Sequence, residues 1–159
     1  MKMIAHRGLF KGPDKGKENR PSQILLALDK GYDCEVDLWR IKNEWWLGHD
    51  EPQYMVEEEF IGKQGLWLHC KNLEALHELI GRPFKYVYFW HQEDDFTLTS
   101  NDVIWTYPGK HLTNNSVAVM PERCDKYWDY VKTVDIVGVC TDYVEKFITE
   151  TSTVSVGTS

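Results

Sequence analysis

Gly31–Asp50 reads GYDCEVDLWRIKNEWWLGHD. Alternation along Cys34–Leu38 puts Cys34, Val36 and Leu38 on one face of a strand, and Glu35 and Asp37 on the other. Trp45–Leu47 follows too closely for a helical crossover, so it is expected as a hairpin-like extension. Similar short runs, rich in Val, Ile, Tyr and Trp, recur at Met3–Ala5, Leu66–Cys70, Tyr86–Trp90, Val103–Tyr107, Val117–Met120 and Ile136–Cys140. Helical segments lie between several of them. Pro21–Lys30 has Pro in its first turn, Ile24, Leu25 and Leu28 on one side, and Gly31 as a stop. Asn72–Ile80 opens on a capping residue, spaces Leu73, Leu76, Leu79 and Ile80 helically, and ends at Gly81. Asp125–Lys132 and Tyr143–Ile148 are fainter helices.

Strands alternating with helices imply an α/β fold with a mainly parallel sheet. The chain has 159 residues, and an ordinary eightfold barrel needs roughly 200 or more. The expectation is therefore a compact, trimmed TIM-like (β/α) barrel with several helices shortened or absent. Lys85–Pro121 fits, because Asp94–Asn101 makes a poor helix. Neither a linker nor a repeat divides residues 1–150, which are expected as one domain. The small, polar stretch Thr151–Ser159 is expected to be disordered.

A hydrophobic content of 42% and an aromatic content of 13% suit a packed globule. The net charge of −7 argues against a nucleic-acid surface, which needs clustered Lys and Arg. No run approaches the ~18 apolar residues of a membrane span, and MKMIAHRG is too short in apolar residues for a signal peptide. Cys34, Cys70, Cys124 and Cys140 lack CxxC spacing, which points to free thiols in a reducing cytoplasm. Nothing indicates an oligomer.

Chemistry-bearing residues collect at the ends of these runs. Two adjacent carboxylates such as Glu35 and Asp37 repel unless a cation lies between them, and their hard oxygens suit Mg²⁺, Ca²⁺ or Mn²⁺. His6-Arg7-Gly8 closes the first run, and His49-Asp50 closes Trp45–Leu47. His69 and Lys71 share a face at the end of Leu66–Cys70. His91 and Glu122 follow two further runs. Active sites of α/β barrels are built at such carboxyl ends. Most of the aromatic residues are packing. Trp39 shares the face of Asp37 and Tyr107 ends its strand, so these two are candidates to line a substrate pocket.

The series His6-Arg7, Glu35-Val36-Asp37 and His49-Asp50 resembles the glycerophosphodiester phosphodiesterases of the phospholipase-C-like superfamily. Glu18-Asn19-Arg20-Pro21-Ser22 is similar to the family's Glu-Asn-Thr segment, Ala27-x-x-x-Gly31 matches before the second strand, and Thr141-Asp142 is similar to the Thr-Asp closing its last strand. The resemblance implies a small phosphodiester substrate cleaved by general acid–base catalysis with a divalent metal. His6 and His49 would be the acid–base pair, Glu35 and Asp37 metal ligands, and Arg7 and Lys71 the phosphate's counter-charges. The family's third strand carries Glu-x-Lys, and here it reads His69-Cys70-Lys71. His69 or Glu122 would then complete the metal site, and an imidazole there would admit Zn²⁺. The family's substrate-gripping insertion is reduced to Glu51–Lys63, whose run Glu57-Glu58-Glu59 reads as a solvated face. Two alternatives to hydrolysis stand: a lyase-like transfer forming a cyclic phosphate, and a barrel that binds a phosphorylated ligand without turnover.

Overall fold

The computed structural model describes residues 1–82 and 84–154. Ten strands form one curled sheet: β1 (Lys2–His6), β2 (Asp33–Ile41), β3 (Glu44–Leu47), β4 (Tyr54–Val56), β5 (Leu66–Cys70), β6 (Val87–Trp90), β7 (Phe96–Leu98), β8 (Ile104–Thr106), β9 (Ser116–Val119) and β10 (Gly138–Thr141). The helices are α1 (Pro21–Asp29), α2 (Glu58–Ile61), α3 (Leu73–Leu79), α4 (Tyr127–Val131) and α5 (Val144–Val154). Parallel pairing runs through β6-β5-β2-β1-β10-β9-β8. On the long strand β2, Leu38 pairs with Leu47 on one side and Cys70 on the other. The β2–β3 hairpin turns through Lys42 and Asn43, both left-handed (φ 48° and 64°), a backbone that matches the strand twist.

The expected TIM-like barrel of repeating β/α units is not what forms. The sheet is a curled half-barrel with few helices: β3, β4 and β7 are antiparallel additions, and no helix follows β6, β7 or β8. The reason is local. Thr97 Oγ1 donates to the Trp90 carbonyl (2.8 Å), Thr99 Oγ1 to that of Val103 (2.9 Å) and Ser100 Oγ to that of Tyr86 (3.1 Å). Side chains bonded to backbone in this way compete with a helix ladder. They also tie β7 to β6.

Helix boundaries follow their sequence signals. The Asn72 side chain accepts from the Ala75 N–H at 3.1 Å, capping α3. Of the expected disordered tail, Thr151–Val154 instead continue α5, and 155–159 lie outside the described residues. The acidic run at Glu57 opens α2. Among the described residues no helix is long and apolar enough to cross a membrane.

Two apolar layers hold the sheet. Its outer face packs Ala5, Val36, Leu38 and Leu68 against Ile24, Ala27 and Leu79 of α1 and α3. Its inner face packs Ile4, Trp67, Phe89, Trp105, Val117 and Cys140 against one another. This inner layer is the floor on which the site stands.

Candidate functional site

Two residues further along five of the inward faces the side chains turn polar: Ile4 is followed by His6, Trp67 by His69, Phe89 by His91, Trp105 by Tyr107 and Cys140 by Asp142, whereas on β9 Val117 is followed by Val119. On β2 both inward positions, Glu35 and Asp37, are acidic and buried. Strand periodicity thus stacks a ring of polar groups on the apolar floor. His6, Arg7, Glu35, Asp37, His49, His69, Lys71 and Tyr107 line a single cavity of about 410 Å³. Trp39 does not line it. Its indole N–H donates to the Gly48 carbonyl at 2.6 Å and braces the turn into His49. A Cβ on Gly48 would meet the Glu51 carbonyl oxygen at 1.9 Å, so only glycine fits there.

The first turn is built around the same carboxylates. Arg7 has φ 53°, which aims its N–H at Glu35 Oε2 (3.2 Å). Its guanidinium meets Glu18 Oε2 at 3.0 Å and Asp37 Oδ2 at 3.2 Å. A Cβ on the following Gly8 would press to 3.3 Å from the backbone of Ile24, so helix α1 packs directly on this turn. Asn19, fully buried, donates to Asp37 Oδ2 (2.8 Å) and accepts from the Asp37 N–H (2.9 Å). Arg7 and Asn19 thus occupy Asp37 Oδ2, and Arg7 N occupies Glu35 Oε2.

The remaining oxygens face one imidazole. His69 Nδ1 lies 3.2 Å from Asp37 Oδ1 and 3.7 Å from Glu35 Oε1. Its ring stacks on Phe89 at 4.9 Å, and its Nε2–H donates to the His91 carbonyl at 3.1 Å. Ligand atoms of Glu35, Asp37 and His69 all lie within 4.8 Å of one another. With Nε2 held by a carbonyl, Nδ1 is the nitrogen left for a cation, the usual arrangement behind a metal-binding histidine. The donor set therefore fits a divalent metal. Glu122 does not converge on this point; its Oε1 accepts from Thr141 Oγ1 (2.8 Å) and the Asp142 N–H (3.2 Å). Lys71 Nζ stands 3.9 Å from Asp37 Oδ1.

The two remaining histidines differ in setting. His6, half-buried, donates Nδ1–H to Asp142 Oδ1 at 2.8 Å and presents Nε2 3.8 Å from Glu35 Oε2. His49 sits at the exposed mouth, its Nδ1–H donating to Asp50 Oδ1 at 2.8 Å. Burial pulls the pKa of His6 down, but the hydrogen bond to Asp142 and the charge of Glu35 outweigh it and raise the pKa. Burial likewise opposes charge on His69, and Asp37 and Glu35 overcome it, lifting the pKa to about 9. Burial would raise Asp37; His69, Arg7 and Asn19 together hold it well below the carboxylate range. His91 is pushed down to about 4, by burial and then by the charge of His69.

Comparison with family models, curated proteins and solved structures finds no match to this chain. The site accordingly stands on its own geometry. Four of its parts carry no role in the sequence reasoning: Asn19, Asp142, the His91 carbonyl and Arg123, which also lines the cavity. Asn19 and Asp142 had a signal, since both fall inside the quoted Glu-Asn and Thr-Asp segments. The other two had none.

Proposed function

We propose that this chain is a metal-dependent phosphodiesterase of the glycerophosphodiester phosphodiesterase type, cleaving a small phosphodiester. One observation carries the reading: two imidazoles, a guanidinium, an ammonium and a three-donor cluster line one small cavity. Arg7 and Lys71 would offset the charge of a phosphate's non-bridging oxygens, Arg7 through the part of its guanidinium not turned to Glu18 and Asp37. Glu35, Asp37 and His69 would hold the metal, with Mn²⁺ and Zn²⁺ suited to the mixed oxygen and nitrogen set. A divalent ion there supplies Lewis-acid polarisation of the phosphoryl oxygens.

The histidines divide the proton work. His6 keeps its proton to higher pH because Asp142 and Glu35 stabilise the imidazolium, so it suits the general acid that protonates the departing alkoxide. Asp142 fixes its tautomer, leaving Nε2 for the cavity. His49, at the open mouth, suits the base that takes a proton from the attacking oxygen. The test is a panel of phosphodiesters with Mg²⁺, Ca²⁺, Mn²⁺ or Zn²⁺, run beside His6→Ala, His49→Ala and Glu35→Ala. Each variant is expected to lose roughly 10²-fold or more. The His6→Ala loss should shrink when the leaving group is p-nitrophenolate, which needs no acid. Turnover that survives both His6→Ala and Glu35→Ala sinks the proposal.

A further inference from the structure

We propose that the far wall of the cavity binds a second anionic group of the substrate, a phosphate or carboxylate carried on one of its alcohols, through Arg123. The inference rests on the phosphodiesterase reading of the near wall and adds the class of alcohol.

The cations of the near wall face anions of the protein itself. Arg7 contacts Glu18 and Asp37, and Lys71 faces Asp37. Arg123 lines the same cavity, and among the described residues its side chain has no ion pair or hydrogen bond. The carboxylates that line the cavity, Glu35 and Asp37, are engaged by Arg7, His69 and Lys71, and the residues that β6, β8 and β9 and the turns after them add to the lining, Trp90, His91, Trp105, Tyr107 and Met120 among them, include no carboxylate. His91 and Tyr107 stack on each other at 3.6 Å with planes 19° apart, and His91 Nδ1 is buried without a partner. The wall is thus mostly aromatic, with one exposed guanidinium that no side chain among the described residues engages. Such a fork gains most from an oxyanion.

The backbone that carries Arg123 is fixed, and the side chain itself is exposed. Met120, directly after β9, is in the left-handed region (φ 45°, ψ 51°), a strained backbone for a methionine, and its N–H donates to the Cys140 carbonyl at 2.7 Å. The chain then makes a single 3-10 turn, Pro121–Arg123, whose Glu122 turns away from the cavity to bind Thr141 and Asp142. The next residue, Arg123, lines the cavity from this turn.

The experiment uses three p-nitrophenyl phosphodiesters whose second alcohol is propanol, choline or 3-hydroxypropyl phosphate, so that the second group is neutral, cationic or anionic. The expected order of kcat/KM is anionic, neutral, cationic. In Arg123→Gln the anionic-to-neutral ratio should fall by about tenfold or more, mainly through KM. Arg123→Lys should retain part of the preference. An unchanged ratio overturns the proposal, whether all three substrates lose equally or none does. If none of the three is turned over, the phosphodiesterase reading fails by itself. Calorimetry with propane-1,3-diol bisphosphate and propyl phosphate then decides the second subsite. Weakening confined to the bisphosphate in Arg123→Gln sustains it, and equal or no weakening overturns it.

Discussion

The near wall, from β1, β2 and β5, and the far wall, from β6, β8 and β9, are built by different physics. On the near wall every charged group answers another: Asp37 alone faces Arg7, His69, Lys71 and Asn19. On the far wall position comes from stacking, at His91 on Tyr107, and from a strained turn, at Met120. A buried ionic network is rigid and leaves its members committed to one another. A stacked, uncharged wall leaves its single cation uncommitted. The first arrangement suits preorganised chemistry, and the second suits discrimination between alcohols.

The largest expected effect separates the walls by stability. Asp37→Ala strands the buried charges of Arg7 and His69 and should cost about 3–5 kcal/mol. Tyr107→Leu loses one ring contact and should cost about 1 kcal/mol. Urea denaturation of both variants checks this, and equal losses would erase the contrast.

Next comes the proton on His6. Asp142→Asn removes a group that raises its pKa, so His6 gives up its proton at lower pH. The alkaline limb of the pH–rate profile should move down, with kcat falling by roughly 10²-fold. A limb that stays in place assigns Asp142 a purely structural role.

A smaller effect lies in pH-dependent stability. The pKa of His69 is raised to about 9, so the stability it lends is complete below its unfolded value near ~6.5 and is lost as pH rises through about 9. Asp37 is lowered, so its share is present above ~3.9 and is lost as pH falls further. Both describe one ion pair. In chelator, Tm should be highest between these limits and decline toward pH 9, and His69→Gln should flatten the alkaline decline. Added Mn²⁺ or Zn²⁺ should stabilise more as pH rises, because His69 must release its Nδ1 proton to bind. Calorimetric scans across pH read both trends.

The smallest effect concerns the far wall alone. Tyr107→Leu should raise KM severalfold for diesters with an aromatic alcohol and leave the pH profile where it is. A shifted profile would mean that the walls are electrostatically coupled.

The near wall was legible in the chain because its spacing is a strand's spacing. Glu35 and Asp37, or His69 and Lys71, share a face by alternation alone, and the hairpin at Lys42-Asn43 sits where a helix could not be fitted. The open half-barrel was not legible. Alternating strand and helix signals over residues 1–80 suggested β/α units closing on themselves; the poor helix at Asp94–Asn101 was visible, but not that Phe96–Leu98 would pair antiparallel with β8 and leave the sheet open. The tail also misled: its small polar residues continue α5, their hydroxyls accommodated by carbonyls of the preceding turn, as Thr151 is by Phe147 at 2.7 Å.

The sequence by itself determined which side chains face inward and which chemistry they bring, because alternation and residue type are local properties. Only the tertiary structure decided partnership. His6 meets Asp142 across 136 positions of chain, His69 turns Nδ1 toward the carboxylates while the His91 carbonyl holds its other nitrogen, and Arg123 lines the cavity while its neighbour Glu122 binds Thr141. Such pairings depend on how the sheet curls, and that curl is a sum over every strand, encoded in no single stretch.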